Sequence, residues 1–300
     1  MVLSQPGAAR PVMVWALRIV WITLPLTAGA AASSMMNDWT DATQFVAAAL
    51  LWIAWAVGLL AAVAPRPVSL TALRIVAPAF VVVAIVATID GAPSTLASLG
   101  ALAATVAALA LASGHDIALV AANATAYGDE QRVLLRTPPA LFLAPVPAAR
   151  LAVGLAIAAP PLLLADEKWT LGIVSLLLAV PLVLVLTRAL HGLSRRWGVV
   201  VPAGFVLLDP LTLSDPVLFL REKIASMGAA DAAAAPDGVL DLRLGAAAGS
   251  VALVFTEPAE LQRSGRGRRG GATVTAREVR FAVVRRDELL ALAARRIRVN

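Results

Sequence analysis

A chain of 300 residues that is 60% hydrophobic and 15% charged, with a mean hydropathy of +0.83, is too apolar for a water-soluble domain and reads as an integral membrane protein. Its net charge of +6 comes from the rear: residues 1–187 hold 8 Lys/Arg and 8 Asp/Glu, whereas residues 188–300 hold 17 and 11. With no Cys, a disulfide framework, a thiolate metal site and a cysteine nucleophile are all excluded.

Six apolar stretches, 11–31, 43–64, 70–89, 96–113, 148–165 and 169–187, come close to or meet the length of about 20 residues that a helix needs to cross the hydrocarbon core. Arg10, Arg66, Arg74, Arg132, Arg136, Arg150, Arg188, Arg195 and Arg196 fall in the leading tail, at alternate loops and after the last span. The other connections carry Asp38, Asp41, Asp90, Asp166 and Glu167 against Lys168 alone. Because retained loops keep Lys and Arg, both termini are expected on the cytoplasmic side of the membrane. The first span reads as an uncleaved anchor, since Arg18 interrupts it and further spans follow; a cleaved signal peptide ending near Ala28–Ser33 is the alternative. The tryptophans, Trp15, Trp21, Trp39, Trp52, Trp55, Trp169 and Trp197, are expected mostly near span ends at headgroup level. Arg18 is the one charge well inside a span, and the simple expectation is that it extends toward the headgroups rather than lining a substrate path. No Asp or Glu lies within any of the six apolar cores, which leaves ion-coupled transport without its usual carboxylate.

Between the fourth and fifth spans, residues 114–147 include Tyr127, Gly128, Asp129, Glu130, Arg132, Arg136 and the pair Pro138 and Pro139. Gly and Pro punctuation with mixed charge predicts a solvated turn or an interfacial segment. Tyr127, Asp129, Glu130, Arg132 and Arg136 form a candidate site in this loop, where neighbouring carboxylates suit cation binding or acid–base work as well as simple charge balance. His115 and His191 each follow a span and are read as interfacial polar residues, with haem or metal ligation as the sharper alternative.

After Arg196 the period changes. Strands are expected at 197–201, 205–208, 217–220, 239–244, 251–256 and 278–284, with a closing helix at 287–296 that starts on Asp287 as N-cap and ends on Arg295 and Arg296. An Ala-rich loop, 228–238, and an Arg/Gly-rich loop, 263–271, interrupt them. The expected fold is therefore an α-helical multi-pass membrane domain of six transmembrane helices over residues 1–190, followed by a small β-rich cytoplasmic domain with a C-terminal helix over residues 191–300.

The order Arg196-Trp197-Gly198-Val199-Val200-Val201, then Gly204-Phe205-Val206-Leu207-Leu208-Asp209, then Leu220-Arg221-Glu222-Lys223-Ile224-Ala225-Ser226-Met227 resembles the bacterial PH-like domains found beside transmembrane helices. Together with Tyr127-Gly128-Asp129-Glu130 and Arg136-Thr137-Pro138-Pro139, the whole chain is similar to multi-pass membrane proteins of GC-rich Gram-positive bacteria whose activity is uncharacterised. The PH-like match covers about a third of the chain, and only six of that fold's seven strands are identified. The resemblance implies a cytoplasmic adaptor role and supplies no catalytic residues.

No Gly-rich loop ending in Lys-Ser/Thr, no His-Glu-x-x-His and no Gly-x-Ser-x-Gly occurs, so no catalytic, cofactor-binding or metal residues are assigned and no cofactor is expected. Arg263, Arg266, Arg268 and Arg269 form the densest positive run and are candidates for contact with anionic lipid headgroups. They lack the interleaved aromatics that single-stranded nucleic acid needs, and no nucleic-acid partner is expected. The expected function is a non-enzymatic membrane scaffold or regulator, with the bilayer and a cytoplasmic protein as partners; a small-molecule carrier or flippase-like protein with a regulatory β domain is the alternative.

Overall fold

The computed structural model describes residues 11–90, 94–236, 238–265 and 271–297. The chain divides into a helical unit, Arg10–Ala121 with Val146–His191, and a β unit, Ala122–Pro145 with Gly192–Asn300. Residues 122–145, expected as a loop of the membrane domain, thus belong with the β unit.

Among the described residues six helices are long and apolar enough to cross a membrane: α1 (Pro11–Met35), α2 (Asp41–Val63), α3 (Pro67–Ile89), α4 (Thr95–Ser113), α7 (Pro145–Ala165) and α8 (Trp169–Ser194). Between them lie α5 (His115–Asn123), strand β1 (Gln131–Leu134) and the short α6 (Pro139–Leu143). Helix starts follow local chemistry. Thr40 caps α2 by accepting from the Thr43 N–H at 3.3 Å, and Ser94 caps α4 by accepting from the Ala97 N–H at 3.1 Å. Pro67 opens α3 at a position where its missing N–H costs no bond.

Helices α1 to α4 pack on one another largely through small residues: Ala31, Ala84, Ala87 and Ala101 form one buried cluster. In an apolar solvent helix association depends on close backbone approach, which small side chains permit. Trp21 is the largest fully buried side chain. Its indole donates to the Trp55 carbonyl at 2.9 Å, the Trp55 indole donates back to the Trp21 carbonyl at 2.9 Å, and a Cβ at Gly58 would lie 1.9 Å from the Trp21 ring. Trp21 and Trp55 lie in mid-helix rather than near span ends, and between apolar helices an indole N–H takes a backbone carbonyl because nothing else accepts it.

The β unit holds two four-stranded sheets. The first runs β1-β2-β3-β4, all antiparallel, from β1, β2 (Trp197–Val201), β3 (Gly204–Leu208) and β4 (Val217–Leu220). The second runs β5-β7-β8-β6, from β5 (Ile224–Ala229), β6 (Val239–Asp241), β7 (Ser250–Gln262) and β8 (Thr273–Ala282), with β6 parallel to β8. Helix α9 (Arg286–Arg296) closes the unit through Leu289, Leu292 and Ala293. Phe205 stacks on Phe281 at 5.4 Å and Phe219 on Phe255 at 4.7 Å, so aromatic pairs tie one sheet to the other. Gly198 makes room for this, because a Cβ there would lie 2.5 Å from the Phe205 ring.

Four differences from the expected elements have physical reasons. β1 takes its partner from β2, with Gln131 opposite Val200 and Leu134 opposite Trp197, a pairing that no local pattern announces. β5 falls where no strand is expected; Ile-Ala-Ser-Met-Gly-Ala has low strand propensity, and its register slips between Ile224 and Ser226. β7 continues beyond residue 256 because Pro258 falls in the irregularity between Val254 and Ala259, where no ladder bond is required of it. Finally, α9 is preceded by Arg285 as N-cap without a side-chain bond, and Asp287 sits in its first turn.

Candidate functional site

The outer face of the first sheet is built from three apolar runs. In Trp197–Val201, Gly204–Leu208 and Val217–Leu220, polar residues do not alternate with apolar ones, so both faces of the sheet are apolar. Val200, Phe205, Leu207 and Phe219 face the core between the sheets. On the other face the register aligns Arg132 with Val199, Val199 with Val206, and Val206 with Leu218. Trp197 and Val199 are buried there with Ala122, and Leu134, Val201, Val206 and Leu208 are partly covered. On the terminal strand β4, Leu218 and Leu220 are 49% and 40% exposed. The strip thus runs from a covered end at β2 to a bare end at an edge strand whose outer backbone is unpaired by the sheet. Sequence reasoning missed this surface, although three unbroken apolar runs in place of alternation were its signal.

The candidate loop site does not assemble as a reactive constellation. Asn123 binds the backbone of Arg132 at both ends: its amide oxygen accepts from the Arg132 N–H at 2.9 Å and its amide nitrogen donates to the Arg132 carbonyl at 3.1 Å. The Arg132 guanidinium donates to the Ala122 carbonyl at 2.9 Å, to the Thr125 Oγ1 at 2.7 Å and to its carbonyl at 2.9 Å, and to Glu130 Oε2 at 3.2 Å. It also lies over the Trp197 ring at 5.0 Å. Glu130 accepts from the Tyr127 N–H at 3.3 Å as well, so its carboxylate closes the turn rather than waiting as a base. Asp129 contributes its carbonyl, which accepts from Arg296 at 2.6 Å. Tyr127 stands at the tip, 87% exposed, beside Gly128 at φ +57°. Arg136 is at a separate place: its N–H donates to the Ala282 carbonyl at 2.8 Å and its own carbonyl accepts from Arg196 at 2.8 Å.

That second place holds the most buried ion pair of the described residues. Arg196 donates to Asp209 through Nε at 2.6 Å and Nη2 at 2.7 Å, with side chains 4% and 1% exposed. Asp209 Oδ1 also accepts from the Leu211 N–H at 3.1 Å. The bidentate geometry fixes the start of β2 against the end of β3. A third arginine, Arg243, pairs with Asp241 at 2.7 Å and donates to the carbonyls of Asp231 and Ala233 at 2.9 and 2.8 Å, fastening the Ala-rich loop. The hydrogen bond from Arg243 holds the Asp241 carboxyl below its ordinary value, and the same bond raises Arg243.

Of the proposed lipid contacts, Arg263 is an exposed residue whose backbone is tied to Ala272 and Ser214 at the base of the β7–β8 hairpin. Arg266, Arg268 and Arg269 lie outside the described residues. His191 Nδ1 lies 3.2 Å from the Thr71 hydroxyl within the helical unit, and among the described residues no three His, Cys, Asp or Glu side chains gather where a metal ion would be held.

Comparison of the chain with family models, with curated proteins and with solved structures yields no match.

Proposed function

We propose that this protein is a non-enzymatic scaffold or regulator of the bacterial plasma membrane, whose six helices anchor a cytoplasmic β unit of PH-like type that binds a protein partner. The observation that carries this reading is the apolar strip ending on Leu218 and Leu220, because an exposed apolar edge continuous with a buried patch is what a docking protein covers. The PH-like type is supported by seven strands from Trp197 onward among the described residues, closed by α9; the parallel β6–β8 pair is a departure from a plain meander. Cytoplasmic placement of both termini rests on the basic residues of the loops.

The test is crosslinking and pull-down of the full chain from its native host, beside the double variant Leu218→Asp, Leu220→Asp. The variant should lose its specific crosslinked partner while keeping its level in the membrane fraction and its melting temperature. An unchanged crosslinking pattern removes this strip as the docking site.

A second reading, a carrier or flippase-like protein, draws on a cavity of about 150 Å³ within the helical unit, lined by Leu24, Ala28 and Gly29 of α1, Trp52 and Trp55 of α2 and Phe80 of α3. Its test is chain-dependent movement of a lipid or small apolar solute in reconstituted vesicles.

A further inference from the structure

The edge of β4 presents backbone as well as side chains. In an antiparallel ladder, residues that exchange both backbone hydrogen bonds with the neighbouring strand alternate with residues whose N–H and carbonyl point away from it. The Arg221 N–H donates to the Ala203 carbonyl at 2.9 Å, one step beyond the pair Gly204 and Leu220 in the β3–β4 register. The bonded pairs of that ladder are therefore Phe205 with Phe219 and Leu207 with Val217. The far side of the sheet gives the same phase. There the Leu135 N–H donates to the Arg196 carbonyl at 3.2 Å, which assigns Gly198 and Val200 to β1, assigns Trp197, Val199 and Val201 to β3, and leaves Phe205 and Leu207 for β4. Leu218 and Leu220 thus turn their N–H groups outward, together with the Leu218 carbonyl, and no backbone hydrogen bond among the described residues reaches them there.

The opposite edge of this sheet is closed. The Val284 N–H donates to the Leu134 carbonyl at 3.0 Å and the Arg136 N–H to the Ala282 carbonyl at 2.8 Å, so the chain around β1 is tied to the end of β8. β4 stays bare, and Val217-Leu218-Phe219-Leu220 carries no Lys, no Pro and no bulge, devices that commonly guard an edge. Backbone groups that point outward beside exposed apolar side chains call for another backbone as their partner. We infer that β4 takes an added strand: an extended segment of the partner protein, apolar at alternate positions, that hydrogen-bonds Leu218 and Leu220 and lays its side chains beside theirs. This rests on the docking reading above and names the form in which the partner binds. A second copy of this chain fits the edge less well. Pro216 precedes β4 and the turn Arg221–Lys223 ends it, so two such edges overlap on a few residues a side, against about 20–30 in a stable interface between folded bodies.

The experiment uses the full chain in a neutral detergent, read by residue-resolved hydrogen exchange and melting temperature. The probe is a synthetic octapeptide of alternating Val and Thr, N-methylated along one edge so that it offers a single edge for pairing; the control peptide is N-methylated along both. At saturation the probe should slow exchange at the Leu218 and Leu220 amides by about tenfold or more, and the control should not. The Phe219 amide, already bonded to β3, should change little. Leu218→Pro removes an outward N–H that serves no ladder bond, a change an edge strand tolerates, so it should melt like wild type and lose the probe's protection at Leu220. Equal protection by the two peptides, or none by either, overturns strand addition whether or not Leu218→Pro folds. Failure of the docking reading is distinguishable. A crosslinked partner lost in Leu218→Asp, Leu220→Asp but kept in a folded Leu218→Pro retains the strip as docking site and overturns the added strand. A dimer in native mass spectrometry that Leu218→Pro dissolves, with no protection by the probe, assigns the edge to a second copy and overturns it as well.

Discussion

In the helical unit Arg18 and Arg74 donate to the last carbonyls of neighbouring helices, Ala62 and Val63 at 3.1 and 3.3 Å and Ala112 and Ser113 at 3.2 and 3.3 Å. In the β unit Arg132, Arg196 and Arg243 reach the carboxylates of Glu130, Asp209 and Asp241. The difference follows from what each unit offers. A helix leaves its last carbonyls without intrahelical partners, and a guanidinium both fills them and meets the negative end of the helix dipole. In the β unit carboxylates are at hand, and a bidentate pair adds directional hold where strands begin and end. Arg18, expected only to extend toward headgroups, thus has defined partners, and its guanidinium also lies over the Trp15 ring at 5.0 Å.

The sharpest way to break the β-unit half of this comparison is Asp209→Ala, which leaves Arg196 buried without its counter-charge. The expected cost is about 3–5 kcal/mol, seen as loss of hydrogen-exchange protection across residues 197–208 of the full chain. The double change Arg196→Met, Asp209→Leu should recover most of it, since an apolar pair of similar volume needs no counter-charge. Wild-type protection in Asp209→Ala would show the pair to be dispensable.

The helical unit should be most sensitive at Gly58, where a Cβ would lie 1.9 Å from the Trp21 ring. Gly58→Ala is expected to cost about 1–3 kcal/mol of overpacking, lowering the melting temperature in detergent, and Trp21→Leu in the same chain should relieve it. Gly29→Ala, with nothing within 4 Å of its Cβ, should leave melting unchanged or raise it. Equal effects at the two glycines would mean that helix propensity, not the Trp21 contact, governs the site.

How legible these features were depends on how local their causes are. The six spans could be read because a helix in lipid must satisfy itself within one apolar run, and strands β2, β3 and β4 stood out as runs of Val, Leu and Phe between Gly, Pro and Asp. β1 could not be read: Gln131-Arg132-Val133-Leu134 becomes a strand only because Trp197–Val201 offers an edge more than 60 residues later. The same dependence divides the loop cluster. Asp129, Glu130, Arg132 and Arg136 looked like a cluster because they are near in sequence, yet pairing with β2 carries Arg136 to Ala282 and Arg196 while Arg132 and Glu130 stay to close the turn. A consequence is that a fragment of residues 195–300 lacks the edge strand that covers β2 in the full chain.

A smaller effect distinguishes carbonyl capping from simple interfacial placement. Arg18→Met keeps the apolar stem and removes the donors, so the carbonyls of Ala62 and Val63 lose their partner. The expected cost is about 1 kcal/mol, with faster hydrogen exchange at the last turn of α2 and little change elsewhere. Uniform exchange behaviour along α2 would return Arg18 to the role of a headgroup contact.

The smallest expected effect lies at Asp241, where pH separates a screened pair from a structural one. The folded-state carboxyl is held below its ordinary value of 3.8, chiefly by the hydrogen bond from Arg243. A carboxyl that binds its proton less readily when folded stabilises the fold above the unfolded value, and that contribution is lost as pH falls through the folded one. The pair should therefore fasten residues 231–233 fully at neutral pH and release them only below about pH 3.8, the upper end of the window. Because the Asp241 side chain is 36% exposed, solvent screening keeps the contribution to no more than about 1 kcal/mol. Asp241→Asn should lower the urea midpoint of the full chain slightly at neutral pH, and the gap from wild type should close as the pH drops below that window. A gap that persists unchanged in acid would mean that the Asp241 side chain acts through its neutral hydrogen bonds to Arg243 and not through charge.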